Sequence, residues 1–128
     1  MQSVLVVDDD GAIRLASLRF LRSLGLEAEG VESAESALER LALQRFDLLI
    51  TDLQMIGLSG LDLVERSRDI QPMTPCILVS GGLEPEDYER ALDLGVVRVL
   101  AKPFSFVSLA SAVGEALGWA APDPPPHL

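Results

Sequence analysis

The chain has 128 residues, one domain's worth, with 48% apolar residues and a mean hydropathy of +0.30, which excludes an intrinsically disordered chain and allows a core without disulfides or structural metal. Ten basic against twenty acidic residues give a net charge of −10 and a pI near 4.4. A field of that sign repels phosphate backbones and attracts cations, so direct nucleic-acid binding is not expected.

Ser3–Val7 is a continuous, β-branched run, the pattern of a first strand buried on both faces. It stops at three aspartates and has no basic region before it, so it is no secretory leader. No stretch approaches the roughly 18 apolar residues of a membrane span. The expectation is a soluble, cytoplasmic protein. Asp10 is placed to cap a first helix over Ala12–Leu24, with Ile13, Ala16, Phe20 and Leu24 on one face and Gly25 ending it. Leu26–Gly30 is a weaker second strand whose Glu27 and Glu29 suggest an edge. Ser33 precedes a second helix, Glu35–Gln44, with Ala34, Leu38 and Leu41 inward. Phe46–Thr51 is the third strand, closed by Asp52, and Gln54–Gly60 is a loop before a third helix, Leu61–Ile70. Pro72 and Pro75 break the chain ahead of a fourth strand, Cys76–Ser80, in which the single cysteine reads as a small buried hydrophobe. Gly81-Gly82 turns the chain, and Pro85 sits in the first turn of a fourth helix, Glu84–Leu94. Val96–Ala101 is the fifth strand, and Ser105 caps a fifth helix to Leu117. The domain spans 1–118. Residues 119–128, with four prolines, read as a flexible tail or the start of a linker.

Five successive βα units with apolar strands predict an α/β fold: a doubly wound, five-stranded parallel sheet with helices on both faces. Such sheets bind ligands at the carboxyl ends of their strands, beside the topological switch point. Asp8 and Asp9 follow the first strand, Asp52 the third, Ser80 closes the fourth and Lys102 follows the fifth. In the flavodoxin-like order 2-1-3-4-5 all five reach one rim, and the three carboxylates lie a few ångströms apart. At an effective dielectric near 20 and about 5 Å, each carboxylate pair repels by roughly 3 kcal/mol. Either a proton or a cation must offset that, and hard carboxylate oxygens suit Mg²⁺. The metal and Lys102 would offset charge on an incoming phosphoryl group and orient one carboxylate as an in-line nucleophile, with the Ser80 hydroxyl donating to a phosphoryl oxygen. The bland alternative is that aspartates gather at loop ends as helix caps, which is the preferred reading for Asp10 alone.

The same residues carry a resemblance. VLVVDDD at 4–10, FDLLITDLQM at 46–55 with Gly60, ILVSGG at 77–82, ALDLG at 91–95 and AKPF at 101–104 stand in order, each motif at a strand or helix end. Together they resemble the receiver domains of two-component response regulators, over about Ser3 to Leu117. The resemblance implies that Asp52 accepts a phosphoryl group from a phosphohistidine on a sensor histidine kinase or phosphotransfer protein. It implies that Asp9 is a direct Mg²⁺ ligand, that Asp8 binds through water, and that Asp52 and the backbone carbonyl of Gln54 complete the set. Ser80 and Lys102 match the family's hydroxyl and lysine positions, and Lys102–Pro103 matches its cis peptide. The implied output is a shift of the helix 4–strand 5–helix 5 face, which can also serve a homodimer.

Three positions depart from the family pattern. Ile56 replaces a proline in the loop after the acceptor. Gly82 offers no side chain to guide a water onto the phosphoaspartate, which leaves Gln54 as a substitute. Val99 stands where a switch tyrosine or phenylalanine is common; Tyr88, Phe104 and Phe106 are candidates for that role, with core packing the competing role for both phenylalanines. His127, in the tail, lacks the structured surround of a phosphodonor. Two rival functions fit parts of the chain. A degenerate receiver would scaffold partners without being phosphorylated. A haloacid dehalogenase-type phosphatase would use Asp8 as nucleophile and Asp10 as acid/base, but it has Ala12 at the threonine position and no role for Asp52.

Overall fold

A computed structural model of the chain describes residues 1–119. Strands and helices alternate as β1 (Ser3–Val7), α1 (Gly11–Ser23), β2 (Glu27–Val31), α2 (Ala34–Leu43), β3 (Leu48–Asp52), α3 (Gly60–Ile70), β4 (Cys76–Ser80), α4 (Pro85–Asp93), β5 (Arg98–Ala101) and α5 (Phe106–Leu117). The strands form one parallel sheet in the order β2-β1-β3-β4-β5, as the sequence pattern predicts. β1, β3 and β4 are buried along their whole length, which is why β1 and β4 read as nearly continuous apolar runs, while β3 ends in the buried polar pair Thr51 and Asp52. Alternate residues serve opposite faces. Val4, Val6, Leu48 and Ile50 pack with Leu18 and Leu21 of α1 and Leu109 and Val113 of α5. Leu5, Val7 and Leu49 pack with Ala37 and Leu41 of α2 and Leu63 and Val64 of α3. No helix among the described residues is long and apolar enough to cross a membrane.

The helix starts follow from local chemistry. The Asp10 carboxylate accepts from the Ala12 and Ile13 amides at 2.9 and 3.1 Å, so it is the cap of α1. Ser33 and Ser105 cap α2 and α5 in the same way, and Ser59 with Asp62 forms a reciprocal capping box on α3. The face of α1 differs from expectation. Ser17, Leu18 and Leu21 are the buried residues, whereas Leu24 and Ala16 are exposed. A polar residue, Ser17, sits in the inward stripe and hides it from a pattern read on apolar side chains alone. Phe20 serves a second contact instead, stacking on Phe106 of α5 with ring centroids 4.5 Å apart. β2 is an edge strand, as its glutamates suggest, and Glu29 is paired with Arg40 of α2. The proline-rich segment 120–128 lies outside the described residues.

The register aligns the strand ends. Val7 pairs with Thr51, Asp52 with Val79 and Ser80 with Ala101. Asp8 just after β1, Asp52 and Ser80 as the last residues of β3 and β4, and Lys102 just after β5 therefore emerge on the same rim.

Candidate functional site

Asp8, Asp52 and Ser80 sit on that rim with only 5%, 5% and 3% of their surface exposed, while Asp9 is open to solvent. Lys102 comes from the far side of the sheet and lies across both buried carboxylates. Its Nζ is 3.0 Å from Asp52 Oδ2 and 3.2 Å from Asp8 Oδ2. The Lys102–Pro103 peptide is cis, as the family resemblance implies. Asp8 Oδ1 accepts from the Asp10 amide at 2.9 Å, which holds that carboxylate against the start of α1. Asp52 Oδ1 is different: it is buried and has no hydrogen-bond partner.

An unpartnered buried carboxylate oxygen costs free energy unless something that binds there offsets it. Burial pushes the Asp52 carboxyl above its ordinary range; the Lys102 ammonium pulls it back, and the Asp8 charge adds to the rise. Burial alone would lower the Lys102 ammonium, but the hydrogen bonds and charges of Asp52 and Asp8 outweigh it and hold the group above its ordinary value. Three carboxylates face one ammonium, so negative charge is left in excess. Asp8, Asp9 and Asp52 each place one oxygen within 4.8 Å of the others. Hard oxygen donors, a solvent-facing ligand in Asp9 and an unsatisfied oxygen on Asp52 together fit a small divalent cation that keeps part of its water shell, as Mg²⁺ does.

The loop after Asp52 is shaped by a glycine the motif contains. A Cβ on Gly60 would lie 2.2 Å from the Asp52 carbonyl oxygen, and the Gly60 amide donates to the Leu53 carbonyl at 3.0 Å. The first turn of α3 thus presses directly on the backbone of Asp52, and only the absence of a side chain allows it.

The β4 side of the rim carries a residue whose side chain the sequence motifs do not place. The Gln54 amide nitrogen donates to Ser80 Oγ at 3.0 Å and to the Gly82 carbonyl at 2.7 Å. The only sequence signal was its proximity to Asp52. Val99 is half-buried and lines a cavity of about 430 Å³ between α4 and β5, together with Tyr88, Leu92 and Ala101. Tyr88 itself is 52% exposed, Phe104 packs against the α1–α5 core, and Phe106 lies on Phe20. Ile56 is 90% exposed and lines, with Asp9 and Gln54, an open cleft beside the carboxylates.

Comparison with known proteins agrees with this arrangement. The response regulator receiver domain family matches residues 4–114. The DNA-binding transcriptional regulator NtrC of Escherichia coli K12 is 32% identical over 114 residues, covering 89% of this chain and 24% of the regulator, so the chain spans about a quarter of that relative's length. A receiver domain protein of the CheY-like type from Methanospirillum hungatei superposes with a TM-score of 0.89 at 26% identity, covering 92% of this chain and 94% of the other. A response regulator receiver protein from Pseudomonas putida gives 0.84 at 38% identity, covering 89% and 96%.

Proposed function

Since the chain belongs to the response regulator receiver domain family of two-component systems, we propose that it is a phosphoacceptor whose Asp52 takes a phosphoryl group from the phosphohistidine of a sensor kinase or phosphotransfer protein. The observation that carries this is the Asp52 carboxylate, with one oxygen held 3.0 Å from Lys102 Nζ and the other buried without a partner. In the transfer, an Asp52 oxygen forms the new bond to phosphorus while the phosphorus–nitrogen bond breaks and the electron pair leaves with the imidazole. Lys102 orients the attacking carboxylate and offsets charge on the phosphoryl oxygens. Asp9, Asp52, the Gln54 backbone carbonyl and, through water, Asp8 would hold Mg²⁺. That ion supplies further charge compensation. The chain acts as a signalling acceptor rather than a turnover enzyme.

A donor must bring its histidine to the rim. Ile13, Ala16, Pro103, Phe104 and Phe106 form an apolar wall beside Lys102 that offers it contact. Phosphorylation adds about −1.5 to −2 charges to a site already in negative excess, and Lys102 and Ser80 are the groups placed to respond. The response shifts the α4–β5–α5 face between two populations, which a partner or a second copy would read. The reading carries a cytoplasmic location.

Incubation with acetyl phosphate and Mg²⁺ followed by intact-mass measurement tests it. A gain of one phosphoryl group that Asp52→Asn abolishes is the expected result. Labelling at Asp8 instead would favour the dehalogenase-type phosphatase. No adduct under any condition would favour the unphosphorylated scaffold.

A further inference from the structure

The Ser80 hydroxyl is fully engaged away from Asp52. Its proton has two acceptors in reach, the Gly82 carbonyl at 2.8 Å and Gln54 Oε1 at 3.2 Å, the shorter being to Gly82; its oxygen accepts from the Gly82 amide and from Gln54 Nε2, each at 3.0 Å. Gln54 Nε2 makes a second bond to the same Gly82 carbonyl at 2.7 Å. A carbonyl only accepts, so the nitrogen of the Gln54 amide must be the atom facing it. The result is a closed set of bonds from the loop after β3, across the rim, to the loop after β4.

We propose that the Gln54 side chain is a positioning residue, a latch that holds the Ser80 hydroxyl on Gly82 and must release before Ser80 can donate to a phosphoryl oxygen on Asp52. The proposal rests on the phosphoacceptor reading for its consequence, and on the hydrogen bonds alone for its existence. The latch stabilises the state in which Ser80 is withdrawn, so it opposes phosphoryl binding. Once it opens, Gly81 and Gly82 have open space around them and a backbone free enough to move. Gln54 is thereby engaged at the loop and not free to steer a water onto the acceptor.

The test is a double-mutant cycle with beryllofluoride as the phosphoryl mimic, in the presence of Mg²⁺ and read by ¹⁹F NMR of the bound fluoride. Gln54→Leu keeps the bulk of the side chain and removes the amide, leaving Ser80 its two bonds to Gly82. It is expected to tighten beryllofluoride binding about two- to tenfold, the scale of one net hydrogen bond. In a Ser80→Ala background the same change is expected to do nothing. Unchanged affinity, or equal tightening in both backgrounds, overturns the latch. A wild-type protein that binds no beryllofluoride counts against the phosphoacceptor reading instead. The latch is then decided in the free protein by proton exchange of the Gln54 side-chain amide. Slow exchange that Ser80→Ala accelerates supports it, and exchange indifferent to Ser80 overturns it.

Discussion

The two halves of the rim are built on opposite terms. On the β1–β3 side, strands buried along their whole length present Asp8 and Asp52 at fixed positions, with charge in excess and one oxygen left unsatisfied. On the β4–β5 side, the polar groups satisfy one another through Ser80, Gln54 and Gly82, while β5 is only half-buried and a cavity opens between Val99 and Tyr88. Rigid packing holds a strained arrangement of charges on one side. Beyond the buried β4, the looser packing of β5 and α4 leaves that edge able to move. The carboxylates therefore sit where the fold cannot yield, and the half-buried β5 edge lies where it can.

The sharpest way to break this contrast is to remove the ammonium that spans both carboxylates. Lys102→Ala is expected to slow phosphoryl uptake about 10²- to 10³-fold, in line with the loss of one charge-stabilising donor, as followed by the rate of adduct formation from acetyl phosphate. A fall of less than about fivefold would mean that the charged half works without it.

Rigidity under Asp52 is tested at Gly60. Because its Cβ would lie 2.2 Å from the Asp52 carbonyl oxygen, Gly60→Ala is expected to cost about 3 kcal/mol in urea unfolding, the upper range for forced overpacking. A neutral result would show that the β3–α3 corner yields.

Charge excess makes a linked prediction. Mg²⁺ at a hundredfold excess over its Kd is expected to add about 2.7 kcal/mol to stability, and Asp9→Asn or Asp52→Asn is expected to remove most of that gain. The pH sign follows from the raised Asp52 carboxyl. Its folded-state pKa lies above its unfolded one, so its contribution is most favourable below the unfolded value and is lost as pH rises through the folded value. Without metal, Asp52→Asn is therefore expected to melt at a higher temperature than the wild type at neutral pH, with the difference closing as the pH falls below the ordinary carboxyl range. A lower melting point for Asp52→Asn at neutral pH would contradict the charge imbalance.

The smallest effect belongs to the loose half. Val99→Phe places a ring where the α4–β5 cavity has room, so stability is expected to change by less than about 1 kcal/mol. A loss of several kcal/mol, measured by denaturant unfolding, would show that this side is as tightly packed as the other.

The readable part of the chain was whatever depends on near neighbours. The caps at Asp10, Ser33 and Ser105 bond to amides two or three residues on. The apolar runs of β1 and β4 are legible because burial on both faces leaves no polar residue to interrupt them. Given the flavodoxin-like strand order, the convergence of Asp8, Asp9, Asp52, Ser80 and Lys102 on one rim follows from where each strand stops. What needed the folded molecule was any choice between partners distant in sequence. Ser17 is buried because of how α1 lies against the rest of the fold, not because of its own polarity. Lys102 bonds a residue 94 positions away, and its angle of approach leaves one Asp52 oxygen unmet. Ser80 meets the Gln54 side chain from 26 positions upstream as well as Gly82 two residues on. Local chemistry sets which groups a segment offers; which of them meet is set by the packing of helices on the sheet, a property no short stretch of chain contains.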